Sequence, residues 1–239
     1  GIVSTSAVTH ATPASFYAHT KSRNQQEEIA SYLPNSSVDF FAGGGKDFFF
    51  KRKDKINYGS VLEEKGFVLD TIALKKPSDF GLQQKFGFLL ANNSMPSKID
   101  GRDDFLPNAT QLALDYLSQN KKGFFLMVEG SQIDWGGHGN NADYIIQEVL
   151  DFDKAIGSAL DFAEKEGNTL VIVTADHETG GYSLASDDGN YNKIKSTFST
   201  NGHTATLIPV FAYGSGAKSF MGIYENNAIF YKIKKLLDW

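Results

Sequence analysis

Short apolar runs alternate along the chain with stretches whose apolar residues recur at helical spacing. The opening Gly1–His10 is apolar and β-branched, the pattern of a strand that belongs inside a sheet rather than at a free terminus. Thr12 and Pro13 read as an N-cap and a proline in the first helical position, with Ala14, Phe16, Tyr17 and Ala18 continuing a short helix. A second helix is expected over Asn24–Tyr32. Val38–Ala42 is a strand that runs into Gly43–Lys46, and the aromatic, basic stretch Lys46–Tyr58 reads as a solvated loop anchored by Phe48, Phe49 and Phe50. Another strand begins at Phe86 and includes Leu89 and Leu90. Asn108–Gln119 follows as a helix with Leu112, Leu114 and Leu117 on its apolar side.

The second half repeats the alternation. Phe124–Val128 is a continuous apolar run of the kind buried on both faces of a parallel sheet. Asp143–Lys165 carries Ile145, Val149, Phe152, Ile156 and Leu160 at three- and four-residue spacing, which predicts a helix with a core-facing stripe. Thr169–Val173 and Leu207–Phe211 are two further candidate buried strands. Strands alternating with helices give an α/β architecture with a mostly parallel sheet.

Composition narrows the field of functions. The 239 residues are 41% hydrophobic and 21% charged, enough for a sizeable core. A net charge of -5 implies no broad basic face for nucleic acid. There is no cysteine, so thiolate metal sites and disulfides are excluded. No apolar run approaches the roughly 20 residues of a membrane span. Gly43-Gly44-Gly45-Lys46 has the wrong spacing for a phosphate loop, and Asp47 stands where serine or threonine is needed, so a glycine turn is the better reading.

In an open α/β sheet the ligand site lies beyond the carboxyl ends of the strands. Two apolar runs end in polar clusters there. Val128 is followed by Glu129, Asp134 and His138, and Val173 by Asp176 and His177. His203 follows a loop rich in glycine and serine. Imidazole and carboxylate without thiolate suit a catalytic zinc site, and these residues supply enough ligands for two metal ions. His19 has no such company and reads as a structural polar contact.

Val128–Asp134, Thr174–His177, Thr9–Pro13 and Gly202–Thr204 resemble the motifs of the alkaline phosphatases, and Gly43–Lys46 and Ile208–Gly214 resemble connecting segments of that family. The pieces stand in the same order and span almost the whole chain. The resemblance implies one α/β domain over 1–239, a three-layer sandwich with a mostly parallel central sheet, incomplete at its N-terminal side. It also implies that Asp134, His138 and His203 hold one zinc, Asp176 and His177 a second, and Glu129 and Thr12 a magnesium ion. Arg23 would grip two phosphate oxygens through its planar fork. His10 and Trp135 would lie near the substrate. Some members have Asp and Lys at these two places. Imidazole is a poor partner for a hard cation, so the magnesium would be held loosely or through water. Trp135 brings no ammonium, so phosphate would be held less tightly.

The implied activity is hydrolysis of phosphate monoesters, with inorganic phosphate as product, through a phosphoserine. Two zinc ions would stabilise the attacking and leaving oxygens of an in-line displacement. The family's serine lies in an Asp-Ser-Ala segment, and an aspartate ligand also lies upstream; neither segment is found in these residues. Ser4, Ser6 and Ser15 stand in no such motif. The chain therefore resembles the C-terminal, larger part of an alkaline phosphatase, expected to be inactive alone and to need a docked N-terminal segment that completes the sheet. The competing readings are another metal-dependent hydrolase of the wider superfamily, a phosphodiesterase or sulfatase, and a non-catalytic metal-binding fragment. Arg23 argues against the last, because structural zinc has no use for a phosphate clamp. By the same resemblance a homodimer exported to the periplasm or the medium is expected.

Overall fold

The computed structural model describes residues 1–76 and 85–237. The chain divides into two compact units. The first comprises Gly1–Ile133 and Ile146–Ala155, the second Asp134–Ile145 and Ile156–Trp239.

The first unit is built on a five-stranded parallel sheet. Its strands are β1 (Ile2–Ala7), β2 (Phe40–Gly44), β3 (Phe67–Asp70), β4 (Lys85–Ala91) and β5 (Met127–Glu129), in the order β3-β4-β2-β1-β5. β1 is buried throughout and lies between β2 and β5, the interior place its composition predicts. Side chains alternate across the pleat into two cores. Ile2, Val8 and Phe41 join one, and Val3, Phe40, Ala42, Phe86 and Phe88 join the other. The first core is covered by α2 (Gln26–Tyr32), α3 (Lys46–Phe50) and α4 (Tyr58–Glu64), through Ile29, Phe49 and Leu62. The second is covered by α5 (Phe105–Leu117), through Leu106, Ala109, Ala113 and Leu117.

Three local expectations change. The first helix, α1 (Ala11–Ala14), is a single turn whose N-cap is His10 in extended conformation. Thr12 thus lies inside the first turn, and Pro13, at the third position, loses no bond because the first N–H groups of a helix have no partner within it. The stretch after Gly45 is a short helix rather than a loop, entered through a left-handed Gly45 (φ +101°). It buries Phe49 and leaves Phe50 exposed. The strand expected at Phe124–Val128 is confined to β5.

The long helix α7 (Ala142–Glu166) starts at Asn141, whose side chain accepts the Tyr144 N–H at 3.1 Å, and ends at a left-handed Gly167. Of the predicted stripe, Ile145 is buried, Phe152 packs against the second core and Ile156 and Leu160 are half-buried, but the buried face is turned at Val149. Val149 is 44% exposed, whereas Glu148, Asp151 and Ala155 are buried. The cause is Arg102. Its guanidinium donates to Glu148 and Asp151, all three side chains being fully buried, and also to the Pro96 carbonyl at 3.0 Å. Lys98 adds its backbone N–H to Glu148 at 2.7 Å and its ammonium to Asp151 at 2.9 Å.

In the second unit the strands pair two by two. β6 (Leu170–Val173) pairs antiparallel with β11 (Phe211–Gly214), β7 (Glu178–Thr179) with β10 (His203–Thr204), and β8 (Ser183–Asp187) with β9 (Asn190–Thr197). The predicted buried strand at Leu207–Phe211 is displaced: the ladder begins at Phe211, after Pro209, which has no N–H to donate. Leu207 and Phe211 are exposed. Helix α6 (Gln132–His138) precedes α7, and α8 (Ala228–Leu237) closes the described chain. No helix among the described residues is long and apolar enough to cross a membrane.

Candidate metal centre

Helix α6 carries Asp134 and His138 four residues apart, so both project from the same face. His203 opens β10, opposite Thr179 of β7. The Nε2 atoms of His138 and His203 lie 3.2 Å apart, and Asp134 Oδ1 lies 3.5 Å from the first and 3.8 Å from the second. A tetrahedral zinc with bonds near 2.0–2.1 Å separates its ligands by roughly 3.3 Å, so the three atoms already stand close to the corners of such a site. Among the described residues they form a group of possible ligands lying within 4.8 Å of one another.

The imidazole orientation supports the same use. His138 Nδ1 lies 2.7 Å from the Asn201 carbonyl, which only accepts, so Nδ1 carries a proton and the neutral ring presents a lone pair at Nε2. Asp176 and His177 follow β6 and bring Oδ2 and Nε2 to 3.1 Å. That is two donors, one fewer than in the first group. The His177 ring stacks on that of His203, with centroids 3.5 Å apart and planes 18° from parallel.

Glu178 holds this corner together. Its carboxylate accepts from the backbone of Gly181 at 3.1 Å, the backbone of Tyr182 at 3.0 Å and the Thr204 hydroxyl. Burial raises its pKa, but these donors, with His177 nearby, outweigh it and leave the carboxyl below its usual range. The result ties β10, and His203 with it, to the turn after β7.

In the first unit Glu129 ends β5, directly across from Ser4 of β1. Its Oε2 accepts from Ser4 at 2.6 Å, Ser131 at 2.7 Å and Ser6 at 3.4 Å, and all three serines are buried. Its Oε1 accepts no hydrogen bond among the described residues. Thr12 is exposed on α1, which packs against β5. A carboxylate with one oxygen free and a threonine hydroxyl on the adjoining helix are oxygen donors of the kind magnesium takes. His10 Nε2 is 3.3 Å from Nη2 of the exposed Arg23. Trp135 is half-buried beside Asp134 on α6. The His19 backbone carbonyl accepts from the Tyr32 hydroxyl at 2.7 Å.

Sequence reasoning missed the serines around Glu129 and missed Thr179, whose hydroxyl reaches both Asp134 and His177. Alternation held the signal. Ser4 and Ser6 share one face of β1, and Thr179 stands two residues beyond His177 in extended chain.

Comparison with known proteins gives a consistent result. A relative in Bacillus subtilis (strain 168), alkaline phosphatase 4, is 43% identical over 237 residues, covering 95% of this chain and 50% of the relative. The chain thus spans about half the length of the curated relatives it matches. The solved structure of alkaline phosphatase from the Antarctic bacterium TAB5 superposes with a TM-score of 0.97 at 54% identity, over 100% of this chain and 71% of that one. A histidine-to-glutamate variant of the TAB5 enzyme, with magnesium bound in its M3 site, gives 0.96 at 55% identity over 100% and 72%. The alkaline phosphatase family model matches residues 1–195, and with that match the chain belongs to the alkaline phosphatase family.

Proposed function

We propose that the protein hydrolyses phosphate monoesters with two zinc ions and one magnesium ion. The observation that carries this reading is the convergence of Asp134, His138 and His203 within a chain of this family. These three residues take the first zinc, Asp176 and His177 the second, and Glu129 and Thr12 the magnesium. The magnesium bound by the TAB5 variant supports a third site, and His10 in this chain leaves that ion held loosely or through water.

When bound, the zinc ions stabilise the attacking and leaving oxygens of an in-line displacement and lower the pKa of a coordinated hydroxyl or water. Asp134 supplies the negative charge that fixes the first ion, and the Asn201 carbonyl holds His138 in its ligating tautomer. Arg23 binds two phosphate oxygens through its fork. Trp135 adds no cation, which weakens the hold on phosphate. The nucleophile is a serine outside these 239 residues, transiently phosphorylated, so residues 1–239 alone do not turn over. The assembly is a homodimer in the periplasm or outside the cell.

The test is hydrolysis of p-nitrophenyl phosphate at alkaline pH by the whole protein, with and without chelator. Turnover lost on chelation, regained with Zn²⁺ and Mg²⁺ and abolished by Asp134→Asn is expected, as is none from residues 1–239 alone. Metal-independent turnover, or a stronger preference for a diester or sulfate ester, overturns the reading.

A further inference from the structure

The side chain of Thr179 reaches two different metal-ligand candidates at once. Its Oγ1 hydrogen-bonds to Asp134 Oδ1 and lies 3.2 Å from His177 Nδ1. A hydroxyl has one proton to give, and an ionised carboxylate can only accept. The proton therefore points to Asp134, and the oxygen's lone pair is left to receive a proton from His177 Nδ1. With Nδ1 donating to the threonine, Nε2, 3.1 Å from Asp176 Oδ2, is left to share a cation with that carboxylate. The backbone is shaped to allow this reach. At Gly137, one turn along α6 from Asp134, an added Cβ would stand 2.6 Å from the Thr179 carbonyl and 2.9 Å from its Cβ. Only a glycine lets the helix come this close to β7.

We infer that the Thr179 hydroxyl is a positioning group shared by the two zinc sites, donating to a ligand of the first ion and accepting from a ligand of the second. The inference rests on the two-zinc reading proposed above. It adds that the two ions are coupled through one side chain. Loss of this hydroxyl frees the Asp134 carboxylate to rotate and lets His177 exchange its tautomer, so both sites weaken together.

The test compares wild type, Thr179→Val and Thr179→Ser in the whole protein. Zinc affinity is read by competition with a chromogenic chelator, and site geometry by the visible spectrum after Co²⁺ substitution. Loss of an outer partner costs roughly 10–100-fold in metal affinity. A loss of that size at both ions in Thr179→Val, with Thr179→Ser close to wild type, is the expected result. Wild-type affinity in Thr179→Val at either ion, or an equal loss in Thr179→Ser, overturns the inference. A measurement on wild type alone keeps it open to refutation if the valine variant does not fold. A ¹⁵N–¹H correlation spectrum of the zinc-loaded protein reads the His177 ring directly. A proton on Nδ1 agrees, and a proton on Nε2 refutes. Failure of wild-type protein to bind zinc at all overturns the two-zinc reading itself, and is told apart because it precedes any comparison of variants.

Discussion

The Nε2 atoms of His138 and His203 face each other at 3.2 Å, with Asp134 Oδ1 within 3.8 Å of both. Because the Asn201 carbonyl holds a proton on His138 Nδ1, the ring turns Nε2 toward this gap, the position of a ligand to a shared cation. His203→Ala is expected to lower zinc affinity by more than the roughly 100-fold that an outer partner's loss can cost. Acidification puts protons on the ligands and releases the metal. Zinc content after dialysis over a pH series checks both. Full zinc retention in His203→Ala would remove this residue from the site.

Gly137→Ala tests the close approach of α6 to β7. The new methyl must displace the Thr179 backbone, an overpacking that costs about 1–3 kcal/mol. Lower thermal stability and weaker zinc binding should appear together. A stable variant with unchanged zinc affinity would show that the approach is not needed.

The buried Arg102, Glu148 and Asp151 cluster predicts a strong asymmetry among substitutions. Arg102→Met leaves Glu148 buried without a cation and Asp151 with Lys98 alone, and should cost about 3–5 kcal/mol, read as a lower urea midpoint. Replacing all three by apolar residues of similar volume should recover most of that loss, because no buried charge is then left uncompensated. Equal destabilisation in the single and the triple variant would contradict this account.

Asp70 predicts part of the acid limb of stability. Burial raises its pKa, but the Lys75 ammonium and the N–H groups of Ile72 (2.8 Å) and Ala73 (3.0 Å) outweigh it and hold the carboxyl below its usual range. A depressed folded-state pKa means stability that is full above the unfolded value of about 3.9 and is lost as pH falls through the lower folded value. Asp70→Asn should cost about 1 kcal/mol at neutral pH and flatten the decline below pH 4. An unchanged acid limb in the variant would assign that decline to other carboxylates.

Much of this molecule was legible before its coordinates. The β-branched start of the chain predicted the interior position of β1. The Asp134 and His138 pair was legible as two candidate ligands on one face, because helical spacing of four residues sets two side chains together, and the fold brings His203 to them. What escaped depends on partners remote in sequence. The turn of α7 that buries Glu148 in place of Val149 follows from Arg102, 46 residues away, and apolar periodicity has no means of registering a charged side chain that a distant guanidinium makes buriable. The pairing of β6 with β11 was hidden in the same way, since a run such as Leu207–Phe211 reads as a buried strand until Pro209 is counted against it. Thr179 carries no charge and no motif, and its reach to Asp134 and His177 follows only from the folded chain.

The serines around Glu129 bear on which cation this corner admits. With Oε2 engaged by the hydroxyls of Ser4 and Ser131, and with Ser6 close by, Oε1 is the oxygen left to meet an ion. Calcium favours glutamates that offer both oxygens and sites that can adjust, whereas magnesium is satisfied by single oxygens in a tight octahedron completed by water. For the magnesium site proposed above, the three buried hydroxyls would thereby favour the smaller cation by engaging one oxygen of its ligand.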